Sequence, residues 1–94
     1  MVESFSELLV WQKADSLFYM IVEDTKTFPI NFTSRIIIDQ VIRSISSISA
    51  NIAEGFGRGG SKEFNRFLII ARGSLVESQN WIMKTQKLGW ITQN

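Results

Sequence analysis

The chain has 94 residues, ten Lys and Arg against nine Asp and Glu, and a hydrophobic fraction of 45% that includes seven Phe and three Trp. A single core is expected at this length, and a domain of this size buries only about 60–65% of the surface its unfolded chain exposes, so further burial by self-association is expected. There is no Cys and no His, which excludes disulfides, thiolate nucleophiles, a Ser-His-Asp triad, a histidine general base and zinc sites built from either residue.

The net charge of +1 does not by itself favour a polyanion, so a nucleic-acid face would have to be local. Met1-Val2-Glu3-Ser4 lacks the basic and apolar regions of a secretory leader, and no run reaches the roughly 18 apolar residues of a membrane span. A soluble cytoplasmic protein with no membrane partner is the expectation.

Three apolar-periodic segments lie between two sets of breakers, and none alternates with period two, which predicts an all-α chain. The first helix is expected over 6–27, opened by the capping box of Ser4 and Glu7 and closed by Phe28-Pro29. Leu8, Trp11, Phe18 and Val22 form its stripe, with Ala14, Leu17 and Ile21 beside it.

The second helix is expected over 33–54, capped by Asn31 or Thr33, with Ile38, Val41, Ile45, Ile48 and Ile52 spaced as a bundle seam. Ser44, Ser46, Ser47, Ser49 and Ala50 lie between them and would let another helix approach closely. Gly55 is expected to end this helix as a left-handed residue, Gly57, Gly59 and Gly60 to form a flexible link, and Ser61 to cap the next helix.

The third helix is expected over 62–88, with Phe64, Leu68, Ala71, Leu75, Ser78 and Ile82 on one face, Lys84 and Lys87 in its last turn, and Gly89 as the stop. Short links make neighbouring helices antiparallel, giving an up-down bundle with three long helices. Trp90-Ile91-Thr92-Gln93-Asn94 allows at most one further turn.

Gly55-Phe56-Gly57-Arg58-Gly59-Gly60 matches the glycine spacing of dinucleotide-binding loops. A helix rather than a strand precedes it and no strand-helix-strand unit surrounds it, so no nucleotide cofactor is expected. Arg58, Lys62 and Arg66 recur every four residues and are the candidate nucleic-acid-binding patch, although Glu63 close by also fits a simple solvated face. Arg35 and Arg43 could extend it.

Asn51 and Glu54 are one turn apart, and a carboxylate before the end of a helix opposes the dipole. That predicts a specific partner for Glu54 such as Arg66 or Arg72, with Glu77 making a comparable polar contact. Gly73 costs about 1 kcal/mol in mid-helix relative to Ala, so close helix packing is expected to repay it. Trp11, Trp81 and Trp90 are expected as core or interface anchors. No catalytic acid-base pair, metal-ligand set or small-molecule site is visible, and a non-enzymatic role is expected.

Ser47-Ile48-Ser49-Ala50-Asn51-Ile52-Ala53-Glu54-Gly55-Phe56-Gly57-Arg58 resembles the signature of the bacterial four-helix-bundle family of 23S ribosomal RNA intervening-sequence proteins. The resemblance extends to Leu9-Val10-Trp11-Gln12-Lys13-Ala14, Glu63-Phe64, Arg66-Phe67-Leu68, Ile70-Ala71, Gly73-Ser74-Leu75, Glu77 and Leu88-Gly89-Trp90-Ile91. It implies a homo-oligomer, a ring-like pentamer, and RNA binding through a basic surface whose matching positions are Arg58 and Arg66, with Lys62 beside them.

A related branch, the accessory variability determinants of diversity-generating retroelements, implies a reverse transcriptase as another partner. Ser49 stands where the family usually has Pro. The family's fourth helix follows the position of Ile91, so either this stretch belongs to a longer product or another subunit covers the groove. A protein-interaction scaffold without nucleic-acid contact, docking a partner helix in that groove, is the competing expectation.

Overall fold

The computed structural model describes residues 2–91. Among them lie a single 3-10 turn at Phe5–Glu7 and three helices, α1 (Leu9–Thr25), α2 (Phe32–Gly57) and α3 (Ser61–Lys87), with no strand. Ile36-Ile37-Ile38 is helical as the continuing seam requires. Part of the expected final turn, at 92–94, falls outside the described residues.

The capping box forms, with Glu7 accepting from the Ser4 N–H at 3.0 Å, but it serves the 3-10 turn. Leu8 is extended, with φ −77° and ψ 126°, and breaks the path into α1, which is why the first long helix starts three residues later than 6. Asn31 caps α2, its side chain accepting from the Ser34 N–H at 2.8 Å.

Gly55 is not the helix end: it is buried inside α2, which continues to Gly57. The left-handed residue is Gly59, with φ +84°, a conformation that disfavours a side chain. The link is therefore only residues 58–60, and Gly60 rather than Ser61 occupies the cap position of α3. Gly89, with φ +80°, ends α3 as expected. Trp90 N–H donates to the Thr85 carbonyl and Gly89 N–H to that of Gln86, the paired bonds of a Schellman end. Trp90 then packs on the buried Phe28, ring centroids 5.2 Å apart.

The core follows the seam. Val41, Ile45, Ile48 and Ile52 of α2 are buried with Ala14 and Ile21 of α1 and Ala71 of α3, and Trp11, Leu17, Phe18, Phe64, Leu68, Trp81 and Ile82 pack around them. Helices of 26 and 27 residues span about 40 Å at 1.5 Å per residue, so the molecule is a rod of 45 × 21 × 19 Å. Packing against α2 is common to α1 and α3, yet no Cα of α1 comes within 8 Å of one in α3. Three corners of a bundle are thus filled. The fourth is a groove of about 180 Å³ lined by Val10, Lys13, Ala14, Leu17, Ile48, Ile52 and Leu75.

α2 and α3 meet through small residues. A Cβ built on Gly55 would stand 2.6 Å from Phe67 Cβ, so the glycine permits this crossing distance. Further along the pair, Ser74 Oγ donates to Ser47 Oγ at 2.9 Å, and Ser78 Oγ lies 3.1 Å from Ser44 Oγ and 2.8 Å from the Ser74 carbonyl. These bonds offset the cost of burying hydroxyls in the seam. Ser34 is buried as well, but its Oγ has no hydrogen-bond partner among the described residues.

Gly73 does not pack against another helix of this chain: a Cβ there would meet nothing within 4 Å. The close approach expected of it occurs at Gly55. Gly55→Ala should therefore force α2 and α3 apart, and overpacking outweighs the gain in helix propensity by about 1–2 kcal/mol. A lower denaturant midpoint checks this. Gly73→Ala should instead stabilise by about 0.5–1 kcal/mol, read as a melting temperature several degrees higher. A lower melting temperature would mean that Gly73 makes a close contact after all.

Candidate nucleic-acid interface

The hairpin between α2 and α3 brings Arg58, Lys62 and Arg66 to one end of the rod. Arg58 is the C-cap of α2, its N–H bonded to the Glu54 and Gly55 carbonyls. Lys62 and Arg66 sit one turn apart near the start of α3. Both guanidinium groups lie over the same ring: Arg58 Cζ is 5.1 Å and Arg66 Cζ 4.8 Å from the centroid of Phe67. Each distance is within the range of a cation–π contact. Phe56 and Phe64 pack edge-to-face nearby at 6.4 Å. The patch is thus a basic rim on an aromatic base.

Two carboxylates share it. Arg58 Nε donates to Glu54 Oε2 at 2.9 Å, while Arg66 donates to Glu63 through Nε at 3.3 Å and Nη2 at 3.4 Å. All four side chains are 40–58% exposed, so water screens both pairs and each contributes little to stability, on the order of 0–1 kcal/mol. Lys62 is exposed and takes part in no ion pair among the described residues. Three cations and two carboxylates leave a modest local excess of positive charge.

Glu54 was expected to reach Arg66 or Arg72 and reaches neither. Its partner is one turn away on its own helix, which offsets the unfavourable end of the dipole locally. Arg72 instead borders a shallow hollow with Asn65, Leu68 and Ile69. Arg43 lies 3.9 Å from Asp39, fifteen residues before Arg58 and so about 22 Å away along α2. Arg35 is farther still, at the opposite end of that helix, and neither extends the patch.

Asn51 holds the α2–α3 seam: its Nδ2 donates to the Ser47 carbonyl at 2.7 Å and lies 2.9 Å from Ser47 Oγ, the atom that Ser74 reaches from α3. Among the described residues Glu77 makes no hydrogen bond or ion pair to another helix, although it borders a polar hollow with Gln40 and Arg43 of α2. It accepts from Trp81 Nε1 at 3.2 Å, one turn along α3. Trp11 meets Phe5 edge-on at 5.0 Å, so the indoles act in packing. Phe67 is the participant that sequence reasoning missed. Its only sequence signal was its place beside Arg66, and nothing in the spacing shows that Arg58 arrives over the same ring.

Among the described residues, no three His, Cys, Asp or Glu side chains could jointly hold a metal ion. No helix among them is long and apolar enough to cross a membrane. The glycine-rich stretch supplies a helix-crossing residue and a three-residue link, which accounts for its composition without a bound nucleotide.

No curated protein and no solved structure matches the chain. A family model described as 23S rRNA-intervening sequence protein matches residues 6–94, which take in all three helices and the link that carries the patch, and the chain belongs to that family.

Proposed function

We propose that this protein is a non-enzymatic, self-associating helical bundle that binds structured RNA through phosphate contacts from Arg58, Lys62 and Arg66. The observation that carries this reading is the convergence of Arg58 and Arg66 on the Phe67 ring, with Lys62 on the turn between them. A guanidinium held against an aromatic face is pre-organised and still presents its N–H edge to a phosphate. The patch holds no device for reading base edges, so the recognition is of backbone and shape. The family's name, which refers to an intervening sequence of ribosomal RNA, supports the choice of polyanion.

Self-association is supported by the apolar surface left uncovered. Leu9, Val10, Tyr19, Met20, Ile69, Val76 and Met83 are all exposed, and the groove between α1 and α3 is lined almost wholly by apolar side chains. Singly exposed hydrophobic residues are ordinary, but a contiguous groove in so short a chain indicates a contact surface. By family resemblance the assembly is a pentamer. The same groove favours a second reading, a scaffold or reverse-transcriptase accessory subunit that docks a helix there and touches no nucleic acid.

The triple variant R58Q/K62Q/R66Q should weaken binding of a structured RNA hairpin. It should also flatten the plot of log affinity against log salt by about 2–3, the slope of three lost phosphate contacts. Glutamine keeps part of each replaced side chain's aliphatic stem, and an unchanged melting profile shows that the fold is intact. Unaltered affinity and slope would remove the patch from consideration. Size-exclusion chromatography with light scattering should show a mass above that of one chain, and a further increase with RNA. A stable oligomer indifferent to RNA favours the scaffold.

A further inference from the structure

We propose that Glu54 and Glu63 are built-in counter-ions that occupy the anion positions of the patch in the free chain and give them up to phosphates on binding. The inference rests on the RNA reading and adds to it a device that weakens the free site. It follows from where the two carboxylates stand. Both arginines of the patch already have a carboxylate on their guanidinium N–H groups, whereas Lys62 has none among the described residues. A phosphate reaching Arg58 or Arg66 must therefore displace an acceptor of the same kind.

The two pairs differ in how readily they exchange. Arg66 meets Glu63 through two bonds of 3.3 and 3.4 Å, long for charge-assisted bonds, which are commonly about 2.7–2.9 Å. Glu63 lies in the first turn of α3, where the positive end of the helix dipole stabilises it whether or not Arg66 stays. Releasing Arg66 costs little. Arg58 meets Glu54 at 2.9 Å, and Glu54 lies in the last turns of α2, where the dipole disfavours a carboxylate. Taking Arg58 away leaves that charge without its offset. Glu54 is accordingly the stronger brake.

The Phe67 ring lets the exchange proceed without moving the cations far. Each guanidinium carbon lies about 5 Å from the ring centroid, a cation–π contact that does not use up the N–H donors, so these can pass from carboxylate to phosphate while the ring contact is kept. Because both groups lie near one centroid, they are no more than about 10 Å apart, close enough to serve neighbouring phosphates of one strand. The cation–π contacts thus position the site, and the carboxylates set its strength.

The test compares E54Q/E63Q with E23Q/D24N, which changes net charge equally but acts at the end of α1 remote from the patch. A structured RNA hairpin is titrated against both and against the parent chain over a salt series. E54Q/E63Q should bind about 3- to 10-fold more tightly at low salt, a gain in keeping with two exposed ion pairs. Its salt slope should be steeper, E23Q/D24N should change affinity by less than about 2-fold, and E54Q alone should have a larger effect than E63Q.

Equal gains in the two double variants would overturn the proposal, since net charge alone would then explain them. No gain in E54Q/E63Q would overturn it too. If R58Q/K62Q/R66Q still loses binding in that case, the RNA reading stands and only the braking role fails. If the triple variant binds as the parent does, the RNA reading fails independently.

Discussion

The crossing of α2 and α3 at Gly55 determines much of the rest. At that point no side chain fits on α2 without a shift, because Phe67 Cβ of α3 stands 2.6 Å from where a Cβ would be. Helices this close must be lined by small groups along their contact, and Ser44, Ser47, Ser74 and Ser78 supply them while satisfying their hydroxyls within the pair. The same approach brings Phe67 beneath Arg58, so a packing constraint also creates the support on which two cations rest. Core geometry and surface chemistry share one cause.

The two flanks of this hairpin carry different kinds of surface. Toward α1 the molecule presents aliphatic side chains around an open corner, with little hydrogen-bonding capacity. On the far side of the seam, Gln40, Arg43, Ser44, Ser47, Ser74 and Glu77 form a polar hollow that water can solvate. The charged end is distinct from both. A protein contact at the corner and a polyanion contact at the link can therefore coexist, since they draw on separate residues and on different physical forces, apolar burial in one case and screened Coulomb attraction in the other.

Much of the fold was legible because helical periodicity is a local property. The spacing of Val41, Ile45, Ile48 and Ile52 identified the buried face of α2, and all four are buried. Gly89 could be read as a stop because the chain beyond a left-handed glycine no longer follows the helix. Gly55 reads as a helix end in the sequence, yet α2 runs on to Gly57, because whether a helical glycine meets a neighbour depends on the rotation of that helix against another, which its own sequence does not contain; for the same reason the sequence could not show that Gly73 meets nothing within this chain. Ser4 and Glu7 did form their box, but Leu8 broke the helix that should have followed.

In the candidate site, helical spacing placed Lys62 and Arg66 together. The unfavourable place of Glu54 on the dipole suggested a partner across helices, whereas Arg58 bends back from the helix end one turn away. Phe67 was missed because a buried aromatic and a platform for cations look alike in a sequence. The distinction lies in what reaches over the ring from the preceding helix.

The brevity of the link at 58–60 also bears on the order in which structure forms. Joining two long helices through three residues confines them to each other's neighbourhood, and little loop entropy is lost when their seams meet. Contacts between α2 and α3 near the turn are close in sequence, a property associated with rapid folding. α1 has a longer connection, docks on α2 and the short 3-10 turn but not on α3, and leaves one flank uncovered. The α2–α3 hairpin is therefore expected to form first, and α1 is the element whose amides should exchange with solvent first.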